Sequence, residues 1–244
     1  MTRASKNTAK KSKLAVLRPP MLWDSPVVRP AEGDCVVLLH GLWRSCWALE
    51  PMAKFLHQEA GFHVLNIPYP SFRWDIRRIA EHISEVIQRE CQCKTVHFVT
   101  HSMGGMVVRE LARIQPITGR VVNLAPPHNG STIMTEMERY KLTDYVFGPA
   151  KQVLANTPSR YPIPELDSSV EQAAIMGDVA LIPIFQKLMD GDNDGIVSTS
   201  EGKLPQLKEY HLVPCDHTYI VCDEKVMQMT ANFLKLGHCL TPPA

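Results

Sequence analysis

Apolar residues along this chain switch repeatedly between two spacings, and the switching predicts its elements. Cys35-Val36-Val37-Leu38-Leu39 is an unbroken apolar run of strand length, as expected for a strand buried on both faces. Leu49, Met52, Ala53 and Leu56 then recur at the period of one helical face, and His63 to Ile67 reads as a second strand that stops before Pro68. Ile76, Ile79, Ile83, Val86 and Ile87 form the cleanest helical stripe in the chain. Strands are predicted at 95–100, 120–124, 171–176 and 209–213, a helix over 105–112, and a closing helix from Val226, Met229, Phe233 and Leu234. Such alternation calls for an α/β architecture, a mostly parallel central sheet with helices on both faces. Ligands of such sheets sit at the carboxyl ends of the strands.

The alternation breaks at about 131–170. Met134, Met137, Tyr140, Leu142, Tyr145, Val146 and Phe147 are followed by a Pro-rich stretch from Pro158 to Pro164. This reads as a small cap segment over the active face, the alternative being an irregular surface excursion. Residues 1–20 carry Arg3, Lys6, Lys10, Lys11 and Lys13 with no apolar run behind them, which predicts a disordered basic tail. Residues 21–244 are then expected to form one domain carrying the cap.

Composition narrows the function classes. The chain has 244 residues, 45% hydrophobic and 21% charged, with a formal net charge of +1. That balance suits a soluble globular protein and argues against a nucleic-acid partner, which would draw on a concentrated basic face. No apolar run approaches the roughly 18 residues of a transmembrane segment. The seven cysteines are Cys35, Cys46, Cys91, Cys93, Cys215, Cys222 and Cys239, an odd count with no evident framework. Cys91-Gln92-Cys93 lacks a second pair at zinc spacing, so no metal is expected, and a reducing, cytoplasmic location fits best.

The chemistry begins at Thr100-His101-Ser102-Met103-Gly104. It lies between a predicted strand and a predicted helix, the context of a nucleophile elbow, whose tight turn needs small flanking residues and presents a serine hydroxyl at the sheet's end. Thr100 stands where the usual pattern has glycine. A serine needs a base and an oriented acid. His217, in Asp216-His217-Thr218 directly after the last strand, is the candidate base, ahead of His211 inside that strand and His101, expected to point away from its neighbour. Asp194, in Asn193-Asp194-Gly195, is the candidate acid; Asp178 is the runner-up, and Asp216 is too close to His217. His40-Gly41-Leu42-Trp43 after the first clear strand places the Leu42 N–H, with that of Met103, as an oxyanion hole. Trp43 and His128 are candidate substrate-binding residues, and Met106, Trp47, Tyr69, Phe72 and the cap residues offer further apolar surface.

Five stretches together resemble the α/β-hydrolase fold, in particular small bacterial lipase-like hydrolases: Leu38-Leu39-His40-Gly41-Leu42, Val99 to Gly105, Asn123 to Ser131, Asp192 to Ser198 and Asp216-His217-Thr218. They span about residues 35–235. The resemblance implies Ser102 as nucleophile, Asp194 as acid and His217 as base of a cofactor-independent serine hydrolase. It also implies hydrolysis of carboxylic esters, and the apolar candidates favour a small-molecule ester or a lipid-like one. A thioesterase or an acyltransferase would use the same triad. A non-catalytic ligand-binding relic of the fold is the alternative outside enzymes.

One pattern competes for the acid loop. Asp190-Gly191-Asp192-Asn193-Asp194-Gly195, with Glu201 beyond, meets the EF-hand calcium pattern. Leu181, Ile184, Phe185 and Leu188 could mark an entering helix, but Gly202 and Pro205 leave no room for the exiting one. A structural calcium at Asp190–Glu201 is the minor reading, and activity is expected to be independent of it.

Overall fold

The computed structural model describes residues 24–138, 147–155, 160–181, 189 and 191–240. Among these, seven strands form one sheet: β1 (Val27–Arg29), β2 (Cys35–Leu39), β3 (His63–Ile67), β4 (Val96–His101), β5 (Val121–Leu124), β6 (Gln172–Gly177) and β7 (Glu209–Val213). Their order across the sheet is β1-β3-β2-β4-β5-β6-β7. All neighbours run parallel except β1, which pairs antiparallel with β3. The six strands predicted from the pattern are present, with ends displaced by a residue. Strand β1 has no counterpart in the pattern, because three residues ended by Pro30 are too few to show a period.

The helices are α1 (Glu50–Gln58), α2 (Ile76–Glu90), α3 (Gly104–Leu111), α4 (Thr132–Glu138), α5 (Lys151–Leu154) and α6 (Glu224–Leu236). Strand β2 is fully buried, and its period of two divides the interior into two cores. Cys35, Val37 and Leu39 pack with the isoleucine stripe of α2 and with Met106, Val107 and Leu111 of α3. Val36 and Leu38 pack on the other face with Met52 and Leu56 of α1 and Val226 and Phe233 of α6. Asp75 caps α2 through the Arg78 N–H at 2.8 Å, and Asp223 caps α6 through the Val226 N–H at 3.0 Å.

Chain direction across the sheet reverses after β2. Strand β3 lies to one side of β2 and β4 to the other, so the loops leaving β2 and β4 diverge and open a crevice between them. In the β2–β4 register Leu39 faces Thr100, which sets His40-Gly41 beside His101-Ser102.

The segment expected as a cap contributes α4 and α5, joined through the Ser131 N–H to Leu154 O at 2.7 Å. Proline carbonyls anchor its return path: Arg109 Nε donates to Pro164 O at 2.7 Å and Arg113 Nη2 to Pro162 O at 2.9 Å, tying it to α3 and beyond. Tyr140, Leu142, Tyr145 and Val146 of the expected cap, the expected basic tail, and Ile184, Phe185 and Leu188 of the expected entering helix all lie outside the described residues. No helix among the described residues is long and apolar enough to cross a membrane.

Candidate active site

Ser102 sits between β4 and α3 with φ 53, a left-handed conformation that few non-glycine residues adopt. Its N–H donates to Leu124 O at 2.9 Å, and its carbonyl accepts from the Gly105 N–H at 3.0 Å. The turn is tight enough to demand glycine at 104, where a Cβ would stand 2.4 Å from Leu39 O. Thr100, the departure from the usual motif, puts its hydroxyl to use in the interior. Its Oγ1 donates to Asn123 Oδ1 at 2.8 Å, fastening β4 to β5.

His217 and Asp194 meet through their side chains, with Nδ1 2.7 Å from Asp194 Oδ2. The backbone repeats the link, the His217 N–H donating to Asp194 O at 3.0 Å. Asp194 Oδ1 accepts from the N–H groups of Ile196 at 3.0 Å and Val197 at 2.8 Å. One carboxylate oxygen thus holds Asp194 in its loop while the other faces the imidazole. The competing acids lie elsewhere. Asp178 is exposed, and Asp216 Oδ1 is taken by the N–H groups of Thr218 and Tyr219 at 2.9 and 3.2 Å.

His101 is buried beside His217: it lines the same cavity as Ser102, and its ring centroid lies 4.9 Å from that of His217. Its Nε2 donates to His217 O at 2.9 Å. Burial, with the His217 and Arg44 charges after it, pushes its pKa well below the usual imidazole value, so the ring is neutral.

The turn after β2 is braced from behind. His40 Nδ1 donates to Gly41 O at 2.9 Å, and its Nε2 accepts from the Tyr69 N–H at 3.3 Å. The Tyr69 ring stacks on His40 at 4.0 Å, and its hydroxyl donates to His40 O. Burial lowers the His40 pKa to about 4, in keeping with a ring that must accept at Nε2. A Cβ at Gly41 would stand 3.0 Å from Ser102 Cβ, so this turn approaches Ser102 closely. Trp43 follows with φ 56, its N–H donating to Ser71 Oγ at 3.0 Å. Leu42 lines the cavity, and Met103 is buried at the head of α3.

These residues surround a cavity of about 530 Å³. Gly41, Leu42, His101, Ser102 and His217 line it, together with Met134, Met137, Phe147 and Leu154 of the segment after β5 and with Ile196 and Val197 beside Asp194. The Trp43 indole stacks on Phe147 at 5.2 Å and is 44% exposed, closing the rim. Arg44 Nη2 donates to Thr218 Oγ1 at 3.0 Å and ties the rim to the base loop, a contribution no local pattern signals.

Other candidates fall outside the cavity. His128 is not among its lining residues; it is buried beside Arg109, Arg160 and Gly105, with neither ring nitrogen partnered. Met106 and Tyr69 are core rather than acyl surface. Of the calcium pattern, Asp190 lies outside the described residues, and Glu201 serves as a clamp. Its Oε1 accepts from the Thr132 N–H at 2.6 Å and hydroxyl at 2.7 Å, and its Oε2 from the Ser198 N–H at 2.8 Å. These donors, two of them backbone N–H groups, fix the carboxylate between the 198–201 turn and the start of α4.

The fold has known counterparts. The family model described as the alpha/beta hydrolase family matches residues 36–227. A search of curated protein sequences finds no match. Among solved structures, a Bacillus licheniformis lipase in its mature form is 18% identical, with TM-score 0.64, covering 87% of this chain and 98% of its own. A metagenomic carboxyl esterase is 21% identical with TM-score 0.59, covering 78% of this chain and 66% of its own. The type II thioesterase of the borrelidin biosynthetic cluster is 19% identical with TM-score 0.56, covering 86% and 96%. At these identities the likeness is one of fold.

Proposed function

Because the chain belongs to the alpha/beta hydrolase family, we propose that it is a serine hydrolase acting on carboxylic esters of small, lipid-like molecules, without a cofactor. Ser102 is the nucleophile, His217 the base, Asp194 the acid, and the Leu42 and Met103 N–H groups the oxyanion hole. The observation that carries this reading is the bond from His217 Nδ1 to Asp194 at 2.7 Å, with His217 lining the same cavity as a serine of φ 53.

His217 Nε2 takes the proton of the Ser102 hydroxyl as its oxygen attacks the ester carbonyl. The imidazolium formed is held by Asp194, and the carbonyl electrons collect on an oxyanion facing the two amides. Collapse of the tetrahedral intermediate expels the alcohol, which receives the proton from His217. Water then attacks the acyl carbonyl as it loses a proton to the same nitrogen, and collapse releases the acid as that proton passes from His217 to the Ser102 oxygen. Met134, Phe147, Leu154 and Trp43 supply an apolar seat for the acyl chain. Thioesters and acyl transfer pass through the same acyl-enzyme.

A fluorophosphonate probe tests the assignment. It should label the wild-type chain at Ser102 and leave Ser102→Ala unlabelled, with turnover of p-nitrophenyl esters falling on the order of 10⁶-fold. Labelling that persists in Ser102→Ala, or a wild-type chain inert to every ester and phosphonate, would overturn it. An ester series of rising chain length reads the depth of the cavity.

A further inference from the structure

At the opposite end of the sheet from the cavity, four side chains with metal-binding atoms converge. Glu209 and His211 open β7 on one face of the strand, two residues apart. Gly237, with φ 77, ends α6 and turns the chain so that His238 and Cys239 come back onto them. A Glu209 carboxylate oxygen, a ring nitrogen of His211 and Cys239 Sγ all lie within 4.8 Å of one another. His238 Nδ1 is a further 3.2 Å from Glu209 Oε1, and His211 Nε2 is 2.8 Å from Oε2.

From this convergence we propose that Glu209, His211, His238 and Cys239 form a divalent metal site of the zinc class. The donor set is the first argument. One thiolate, two imidazoles and one carboxylate match the mixed sulfur, nitrogen and oxygen ligation of zinc, and not the all-oxygen ligation of calcium or magnesium. Charge is the second: Glu209 and a Cys239 thiolate neutralise a dication, and the imidazoles bind as neutral ligands. The thiol proton leaves to solvent as the metal–sulfur bond forms.

Geometry is the third argument. Ligand atoms about 2.0–2.3 Å from a tetrahedral zinc lie roughly 3.3–3.8 Å apart. The three grouped atoms, within 4.8 Å of one another, therefore have at most about 1.5 Å to close, and the His211–Glu209 pair at 2.8 Å opens slightly. Cys239 is held in place at both sides of its peptide, its N–H donating to Glu209 Oε2 at 2.9 Å and its carbonyl accepting from Asn232 Nδ2 at 3.2 Å. Its side chain is fully buried, whereas the half-exposed His238, already bonded to Glu209 Oε1, would turn from the surface into the fourth position. The neighbouring Lys208 is committed to Glu171, which also takes Arg120 Nε at 2.6 Å, so it does not occupy the site. A cation here would join the chain segment after α6 to edge strand β7, a structural clamp remote from the triad. Sequence spacing conceals the set, because 26 residues separate a Glu-X-His pair from a His-Cys pair in no familiar zinc register.

The full-length chain, stripped of metal and reduced, is titrated with Co²⁺ as a spectroscopic substitute and then with Zn²⁺. One Co²⁺ per chain should bind with visible d–d bands and a near-ultraviolet thiolate charge-transfer band, and Zn²⁺ should displace it and raise Tm. Cys239→Ser should abolish the charge-transfer band. The exposed His238→Ala, which leaves the core untouched, should weaken binding by at least about tenfold. Cys91→Ser and Ser102→Ala should bind as the wild type does, which separates this site from the hydrolase reading. No Co²⁺ spectrum and no Zn²⁺ effect on Tm, or a charge-transfer band that survives Cys239→Ser, would overturn the proposal.

Discussion

The imidazole of His101 donates from Nε2 to the backbone carbonyl of His217 across 2.9 Å, joining the residue before the nucleophile to the proposed base. It holds the base loop by its backbone while Asp194 orients the ring. His101 is therefore a positioning residue. In His101→Phe the ring volume is kept and a buried carbonyl loses its donor, a cost of about 1–3 kcal/mol. We expect kcat to fall about 10–100-fold with KM little changed, and His101→Gln, which restores a donor, to recover part of it. Equal damage from both variants, or a change confined to KM, would refute this role.

Neutralising the acid should cost more. Asp194→Asn leaves Oδ1 free to accept the Ile196 and Val197 N–H groups but presents an amide to His217 Nδ1, favouring the wrong tautomer. The expected fall in kcat is on the order of 10⁴-fold, with the fold intact by circular dichroism. Asp178→Asn should leave kinetics at wild-type values, since that side chain is exposed.

The elbow tolerates no side chain at residue 104. A Cβ there meets the Leu39 carbonyl at 2.4 Å, whereas one at Gly105 meets only side chains, at 3.1 Å or more. Gly104→Ala should destabilise by on the order of 3 kcal/mol, about 6–12 °C in Tm for a chain of this size. Gly105→Ala should cost less than half as much. Thermal melts of the two variants side by side decide it.

Acid should unfold the protein through histidines that are buried neutral. Burial lowers His40 from 6.5 to about 4, and burial with the Arg109 and Arg160 charges lowers His128 to about 3. Between pH 6.5 and these values the unfolded chain takes up protons that the folded chain refuses, so stability falls as pH falls. The His40 contribution alone is about 3 kcal/mol. Urea unfolding should show a marked loss between about pH 7 and pH 4.5, and His128→Leu should flatten that slope. An unchanged slope in the variant would remove His128 from the account.

Glu201 links the acid loop to the start of the cap. Glu201→Gln sets an amide against one of three N–H and O–H donors, and should cost about 1–3 kcal/mol and raise KM for longer acyl chains. Millimolar Ca²⁺ added to metal-stripped protein should leave both activity and Tm unchanged. A Tm that rises with Ca²⁺ and fails to rise in the variant would restore the calcium reading of this loop.

Much of this protein is legible from sequence alone, wherever the physics is local. The unbroken run at 35–39 marks a strand buried on both faces, and the isoleucines of α2 mark a helical face, because backbone period and burial leave their trace within a few neighbours. The turn at Ser102 is legible for the same reason, as a strand, small residues and a helix in succession. The pairing of Asp194 with His217 follows from chain order. Strand β1 escapes because its partner, not its own pattern, makes it a strand. Only the tertiary structure could place His101 against His217, withdraw His128 from the cavity, fill Glu201 with donors from the cap and bring His238 and Cys239 back onto β7. Each of these depends on which loops converge in space, and a one-dimensional spacing records what a residue can do without recording what it will meet.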